Sequence, residues 1–144
     1  MENSALVVED TPANLDFLMR LLSHADLSVV GANSGEAALE LTSVMESLQL
    51  AVVDMQLPDM TGLKLIEELR VRFPKACLVI ATMHDDSELM KCAFQKGCDI
   101  FLVKPHGFME LYKRLTTMGF DKIREQKCLV IDQYGPHPFR AMAS

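Results

Sequence analysis

The sequence predicts a doubly wound α/β fold in which five parallel strands form one sheet. Short apolar runs rich in valine and isoleucine alternate with longer segments whose apolar residues recur every three or four positions. This alternation is typical of βα units around a parallel sheet. The length of 144 residues and the apolar fraction of 49% suit a chain with one hydrophobic core. We therefore expect a single globular domain of this class.

The first βα unit begins with the apolar run at residues 5–8, which ends at Glu9 and Asp10. Thr11 then provides an N-cap, and Pro12 suits the first turn of a helix. One face of this helix is apolar and comprises Leu15, Leu18, Leu22 and Ala25. The unit therefore consists of a strand, an acidic turn and a helix.

The second strand is predicted at residues 27–30, and Ser34 is the predicted cap of the following helix. The apolar face of that helix comprises Ala38, Leu41, Met45 and Leu48. Residues 50–53 form a third, uninterrupted apolar run that ends at Asp54. An unbroken run of this kind indicates a strand covered on both faces.

The loop at residues 57–62 has turn chemistry, and the helix after it ends before Pro74. Its apolar residues are Leu65, Ile66, Leu69 and Phe73. The fourth strand is predicted at residues 77–81 and ends at Thr82. Ser87 is the predicted cap of the fourth helix.

Gly97 is expected in a left-handed conformation at the end of the fourth helix. The fifth strand is predicted at residues 100–103, directly before Lys104. A last amphipathic helix follows and ends at Gly119, and its apolar residues are Phe108, Leu111, Leu115 and Met118. Residues 1–118 are therefore expected to form the domain.

Residues 119–144 do not continue the alternation, and we treat them as a C-terminal extension. They contain a β-like run at residues 128–131 and a turn-rich stretch at residues 135–138. Three interpretations remain open. The extension is an added strand or partner-binding arm, a flexible end, or the opening strand of a further region.

Composition excludes several classes of function. The formal charge of −6 and the isoelectric point near 5.1 remove the attraction on which non-specific nucleic-acid binding depends. The longest apolar run, residues 76–81, is far shorter than a membrane span, and no secretory signal is recognisable. The four cysteines and four histidines match no zinc or redox pattern. We expect a cytoplasmic protein with reduced cysteines that contacts neither membrane nor nucleic acid directly.

Polar residues stand where the predicted strands end, namely Glu9, Asp10, Asp54, Thr82 and Lys104. Ligands of open parallel sheets bind beyond these carboxyl ends. If the first strand is central, the three carboxylates share one pocket, where two unit charges ~4 Å apart repel by roughly 4 kcal/mol. Mg²⁺ favours such oxygen ligands, while the ammonium and the hydroxyl suit phosphoryl oxygens. The residues therefore predict a phosphoryl-acceptor site.

Four short segments coincide with these strand ends. They are residues 6–10 (LVVED), 53–62 (VDMQLPDMTG), 81–82 (AT) and 103–105 (VKP). Together and in this order they resemble the response-regulator receiver domain of two-component signalling, of the chemotaxis-regulator type. The resemblance extends over about residues 3–118. It implies a flavodoxin-like fold with five parallel strands in the order 2-1-3-4-5.

The resemblance also implies the roles of individual residues in phosphotransfer. Asp54 matches the aspartate that accepts a phosphoryl group from a phosphohistidine. Asp10, Asp54 and the backbone carbonyl of Gln56 match the ligands of Mg²⁺, with Glu9 acting through a bound water. These positions imply a domain that assists its own phosphorylation and dephosphorylation rather than an enzyme with a separate substrate.

Three further positions match residues that contact the phosphoryl group or respond to it. Lys104 and Thr82 match the groups that contact the phosphoryl oxygens, and Thr82 is expected to move when the acyl phosphate forms. Phe101 matches an aromatic switch, although plain packing in an apolar strand is a serious alternative. The bond between Lys104 and Pro105 is cis in the family. Met83 replaces a usually small residue, which predicts slow phosphorylation and dephosphorylation.

The implied partners are a sensor histidine kinase or phosphotransfer protein, and a downstream protein target or an output domain outside these residues. A homodimer is also compatible with the resemblance. The alternative function is a pseudo-receiver, a protein-interaction module that is not phosphorylated. A haloacid-dehalogenase-like phosphatase would need a second acid at Gln56. A flavodoxin-type cofactor binder would need a phosphate-binding loop where Glu9 and Asp10 stand.

Overall fold

The computed structural model describes residues 4–104, 106–119, 122–123, 125–132 and 134–139. Within these residues the strands are β1 (Ser4–Val8), β2 (Ser28–Ala32), β3 (Leu50–Asp54), β4 (Cys77–Thr82), β5 (Ile100–Val103), β6 (Leu129–Asp132) and β7 (Gly135–Pro138). The helices are α1 (Pro12–Ser23), α2 (Gly35–Ser43), α3 (Gly62–Arg72), α4 (Ser87–Gln95) and α5 (His106–Met118). None of these helices is long and apolar enough to cross a membrane.

The strands form one sheet in the order β2-β1-β3-β4-β5-β6-β7. All neighbouring pairs from β2 to β6 are parallel, and β7 is antiparallel to β6. The predicted α/β class and the order 2-1-3-4-5 are therefore confirmed, and two strands beyond the predicted five extend the sheet. The central position of β1 places its carboxyl end beside that of β3.

Helices cover both faces of the sheet, which is why the central strands are apolar throughout. The helices α2, α3 and α4 bury Ala38, Leu65, Ile66, Leu69, Met90 and Ala93 against one face. The helices α1 and α5 bury Leu18, Leu22, Phe108, Leu111 and Leu115 against the other. The two core layers hold β1, β3, β4 and β5 rigidly between them.

Several helix boundaries differ from those that the sequence predicts. The Ser34 hydroxyl caps α2 by accepting a hydrogen bond from the Ala37 N–H at 3.1 Å, as expected. However, α2 ends at Ser43, so Met45 and Leu48 pack after the helix rather than on it. Their apolar spacing reflects burial and not helical continuation.

The predicted cap of α4 was wrong by one residue. Asp86 is the N-cap, and its carboxylate accepts from the Glu88 N–H at 2.9 Å, whereas Ser87 is the first helical residue. Both side chains can cap, but the charged carboxylate is the stronger acceptor. The predicted left-handed Gly97 is confirmed by its φ of +112°. Met118 is 40% exposed and does not belong to the buried face of α5.

Within residues 119–144, for which the sequence left three interpretations open, Leu129–Asp132 form β6 and Gly135–Pro138 form β7. The strand β6 lies beside β5 with Phe101 opposite Val130. The cysteines form no disulfide in the part of the chain that the structure describes. Burial raises the pKa of the Cys98 thiol far above its usual value, which keeps that thiol protonated.

Candidate functional site

A pocket of about 210 Å³ lies at the carboxyl ends of β1, β3, β4 and β5. Its lining includes Glu9, Asp10, Asp54, Gln56, Thr82 and Lys104, which are six of the seven residues that the sequence singles out. They meet because the carboxyl ends of parallel neighbouring strands lie at one edge of the sheet. The strand order therefore joins residues up to 95 positions apart in the chain.

Lys104 is the cation at the centre of the site. Its Nζ donates to Asp54 Oδ1 at 2.8 Å and to Glu9 Oε2 at 3.0 Å. The Lys104 side chain is 14% exposed, that of Asp54 is 12% exposed and that of Glu9 is 2% exposed. Because these charges are largely removed from water, each one depends on the others for compensation.

The protonation of Lys104 follows from these contacts. Burial disfavours the charged form of the amine. The hydrogen bonds and negative charges of Asp54 and Glu9 outweigh that effect and raise the pKa of Lys104 above its usual value. Lys104 therefore remains a cation at neutral pH.

Three carboxylates of the site are close enough to share a cation. Oxygen atoms of Glu9, Asp10 and Asp54 all lie within 4.8 Å of one another. Glu9 is buried, Asp54 is intermediate and Asp10 is exposed, so the group opens to solvent on one side. Hard oxygen donors with an open side fit Mg²⁺, which keeps several waters or phosphate oxygens among its ligands. The donor set is therefore compatible with Mg²⁺.

Thr82 and Phe101 occupy different environments. Thr82 lines the pocket and is 3% exposed, and its Oγ1 accepts from the His84 N–H at 3.2 Å. Phe101 is fully buried in the core, where its ring centroid lies 6.5 Å from that of Phe94. The structure thus brings Thr82 to the site and places Phe101 beneath α4. Pro105, with its expected cis bond, lies outside the described residues.

The β3–α3 loop is held in place by two contacts that sequence reasoning missed. A Cβ atom at Gly62 would overlap the Asp54 carbonyl oxygen and lie 2.9 Å from Met55 Cα, so only glycine fits. The carboxylate of Asp59 accepts from the Glu36 N–H at 2.8 Å and the Gly35 N–H at 2.9 Å. These backbone hydrogen bonds lower the pKa of Asp59.

Further residues line the pocket besides the predicted ones. Asn14 was missed, although its place in the first turn of the helix after the acidic turn is a usable signal. Met83 lines the pocket while remaining 76% exposed, and His84 lies beside it. The flexible Met83 thioether therefore belongs to the solvent-exposed part of the pocket lining.

The comparison with known proteins agrees with this arrangement. Residues 5–116 match the family described as the response regulator receiver domain. The chain is 30% identical over 112 residues to the nitrate/nitrite response regulator protein NarL of Escherichia coli, a match over 76% of this chain and 51% of NarL. It is 29% identical over 113 residues to a cyclic di-GMP phosphodiesterase of Thermotoga maritima, a match over 78% of this chain and 30% of that protein.

Solved structures show the same fold. A CheY-like receiver domain protein from Methanospirillum hungatei superposes with a TM-score of 0.76 at 24% identity, over 87% of this chain and 98% of that one. The matched curated relatives are longer proteins, of which this chain spans about half in NarL and less than a third in the phosphodiesterase. The shared part is thus one unit of a larger protein in both.

Proposed function

The chain belongs to the response regulator receiver domain family, and we propose that it is a phosphoacceptor signalling domain in which Asp54 accepts the phosphoryl group. One observation carries this proposal. Asp54 contacts the Lys104 ammonium at 2.8 Å and lies within 4.8 Å of the carboxylate oxygens of Glu9 and Asp10. The candidate nucleophile thus stands between a fixed cation and a group suited to a divalent ion.

The proposed reaction transfers the phosphoryl group from a phosphohistidine of a partner kinase. A carboxylate oxygen of Asp54 forms a bond to phosphorus while the P–N bond breaks, and the electron pair of that bond passes to the imidazole nitrogen. The protein supplies little covalent chemistry beyond the nucleophile. Its contribution is to position the carboxylate and to stabilise charge on the phosphoryl oxygens.

The residues around Asp54 have complementary roles in this proposal. Lys104 pairs with phosphoryl oxygens, and its contact with Asp54 holds the carboxylate before the reaction. Thr82 donates its hydroxyl hydrogen to a phosphoryl oxygen, and that hydrogen is not used in the present contact, in which the hydroxyl oxygen accepts from the His84 N–H. The new hydrogen bond would make the position of Thr82 sensitive to the phosphorylated state.

The acidic group is proposed to hold Mg²⁺ through Asp10, Asp54 and the backbone carbonyl of Gln56, with Glu9 contributing through water. When bound, the ion supplies positive charge that offsets the phosphoryl oxygens. Without it, the Lys104 ammonium faces three carboxylates alone. The three carboxylates carry more negative charge than Lys104 offsets, so the site can hold a divalent cation, and that cation together with Lys104 can offset the charge of a phosphoryl group.

The proposed partners follow from the family. A sensor histidine kinase or phosphotransfer protein supplies the phosphoryl group, and a downstream protein target or an output domain receives the signal. We propose the cytoplasm as the location and residues 1–118 as the signalling unit. A homodimer remains compatible with this proposal.

Intact mass after incubation with acetyl phosphate and Mg²⁺ tests the proposal. We expect the mass of one added phosphoryl group in the native chain and none in Asp54→Asn. Asp16→Asn is the matched control, because Asp16 is an exposed aspartate paired with Arg20 away from the pocket. An unmodified native chain under these conditions would instead favour the pseudo-receiver.

Met83 sets a kinetic expectation within the same proposal. Its side chain lines the pocket entrance, so we expect it to slow access of both phosphodonor and hydrolytic water. Met83→Ala should raise the rates of phosphorylation and dephosphorylation together. Equal rates in the variant and the native chain would show that the thioether does not restrict entry.

A further inference from the structure

Residues 128–132 and 134–139 form the two sides of a hairpin that continues the sheet past β5, and we call them the C-terminal hairpin. Its first strand pairs along β5, with Leu129 opposite Ile100 and Val130 opposite Phe101. Val130 has no exposed surface, and the Leu129 N–H donates to the Asp99 carbonyl at 3.0 Å. The hairpin is thus joined to the strand that leads to Lys104.

A buried charge group fastens the start of the hairpin. Asp99 is 6% exposed, and its carboxylate pairs with Lys127 at 2.9 Å and Arg70 at 2.6 Å. The same carboxylate accepts from the Leu78 N–H at 3.0 Å. These contacts therefore attach the hairpin to the sheet at the amino end of β5, away from the pocket.

Phe139, which lies beside Cys128 at this same end of the hairpin, packs against a pair of aromatic rings. The ring of Phe139 lies 5.1 Å from that of Phe94 on α4, and Phe94 lies 6.5 Å from Phe101. Val130 lies beside Phe101 on the neighbouring strand, and Phe101 has no exposed surface. Phe101 is thereby enclosed between α4 and the C-terminal hairpin.

The outer strand of the hairpin is unsuited to pairing with another strand. Pro136 and Pro138 have no N–H to donate, and they alternate with the residues whose amides can face β6. The Phe139 N–H closes the hairpin by donating to the Cys128 carbonyl at 2.8 Å. The contacts of the hairpin are therefore directed inward, to β5 and α4.

We propose that the C-terminal hairpin is a cover that stabilises the unphosphorylated arrangement and loosens when Asp54 is phosphorylated; this inference rests on the proposed function. Thr82 accepts from the Lys104 N–H through its carbonyl at 2.7 Å, which links the pocket to the end of β5. Phe101 has no exposed surface, so a rearrangement of its ring would press on its neighbours Phe94 and Val130, and through Phe94 on Phe139.

Hydrogen exchange of the hairpin amides tests this directly. With acetyl phosphate and Mg²⁺, we expect peptides covering residues 128–139 of the full chain to exchange roughly tenfold faster, with no acceleration in Asp54→Asn. If intact mass shows that the chain carries the phosphoryl group but exchange is unchanged or slower, the proposal that the hairpin is a cover is overturned and the proposed function still stands. Absence of the adduct would overturn both.

Linkage supplies the reciprocal test. If phosphorylation loosens the hairpin, then a hairpin loosened beforehand should favour the phosphorylated state. Phe139→Ala should raise the phosphorylated fraction at limiting acetyl phosphate roughly fivefold. Tyr134→Ala is the matched control, because Tyr134 is an aromatic residue of the same hairpin that is 85% exposed.

Phe139→Leu keeps an apolar side chain of similar bulk, so its phosphorylated fraction should lie between those of the native chain and Phe139→Ala. This milder variant keeps the test valid if Phe139→Ala fails to fold. A phosphorylated fraction in Phe139→Ala no higher than in Tyr134→Ala would refute the cover.

Discussion

Gly62→Ala tests whether the packing of the β3–α3 loop positions Asp54, the proposed phosphoacceptor. The added Cβ would overlap the Asp54 carbonyl oxygen and lie 2.9 Å from Met55 Cα. Carbon atoms pack at about 3.5 Å or more, so the two backbone segments must separate by at least about 0.6 Å. The Gly62 N–H also donates to the Met55 carbonyl at 2.6 Å, and that hydrogen bond must lengthen.

Two losses follow from this displacement. Overpacking against backbone costs about 1–3 kcal/mol, so we expect the free energy of unfolding in urea to fall by about 2 kcal/mol. Misplacement of a reacting group by about 1 Å costs up to about a hundredfold in rate. We therefore expect phosphorylation of Gly62→Ala by acetyl phosphate, followed by intact mass, to slow by at least about tenfold.

Gly31→Ala is the matched control for this substitution. The atom nearest to its added Cβ is the Met19 sulfur, which is the end of a flexible side chain and can move aside. Gly31 also lies on β2, which β1 separates from β3. If Gly62→Ala matches Gly31→Ala in both stability and rate, the close approach of Gly62 does not position Asp54 and the reasoning fails.

Three further predictions concern charge. Lys104→Met leaves Glu9 buried without its cation, so we expect the free energy of unfolding in metal-free buffer to fall by about 3 kcal/mol. Added Mg²⁺ should stabilise this variant more than the native chain. Equal effects of Mg²⁺ on the thermal unfolding of the two chains would contradict this. Asp99→Asn should lower the free energy of unfolding in urea by about 3 kcal/mol. Glu67→Gln, which removes one partner of an exposed ion pair, should lower it by less than about 0.5 kcal/mol. Similar losses in the two variants would show that burial does not set the cost. Asp59 has a lowered pKa when folded, so its stabilisation is present above the ordinary value of 3.8 and is lost as pH falls through the folded-state pKa. The stability difference between the native chain and Asp59→Asn should therefore disappear below that range, and a difference that persists there would refute the link.

The local sequence was sufficient to predict the strands β1 to β5 and most helix starts. The apolar runs of β3 and β4 are buried on both faces, and the Ser34 cap behaves as its chemistry predicts. Helix ends were harder, because Met45 and Leu48 continue the apolar spacing after α2 has ended. Burial alone does not distinguish a helix from the chain that follows it.

The candidate site was predictable because polar residues that follow apolar runs can be recognised in the amino-acid sequence. Their chemistry and order indicated that Glu9, Asp10, Thr82 and Lys104 would lie in one pocket with Asp54. The contacts that hold the loop were not predictable in this way. Asp59 meets the start of α2 from 23 positions away, and Gly62 faces the carbonyl of Asp54 through space.

The amino-acid pattern alone therefore indicated the α/β class and the polar groups at the strand ends, since both depend on local alternation and on residue type. The three-dimensional arrangement was needed to place β6 against β5, to enclose Phe101 beneath Phe94 and Phe139, and to share Lys104 between two acids. These features depend on contacts between residues distant in the chain, whose energies no local pattern records.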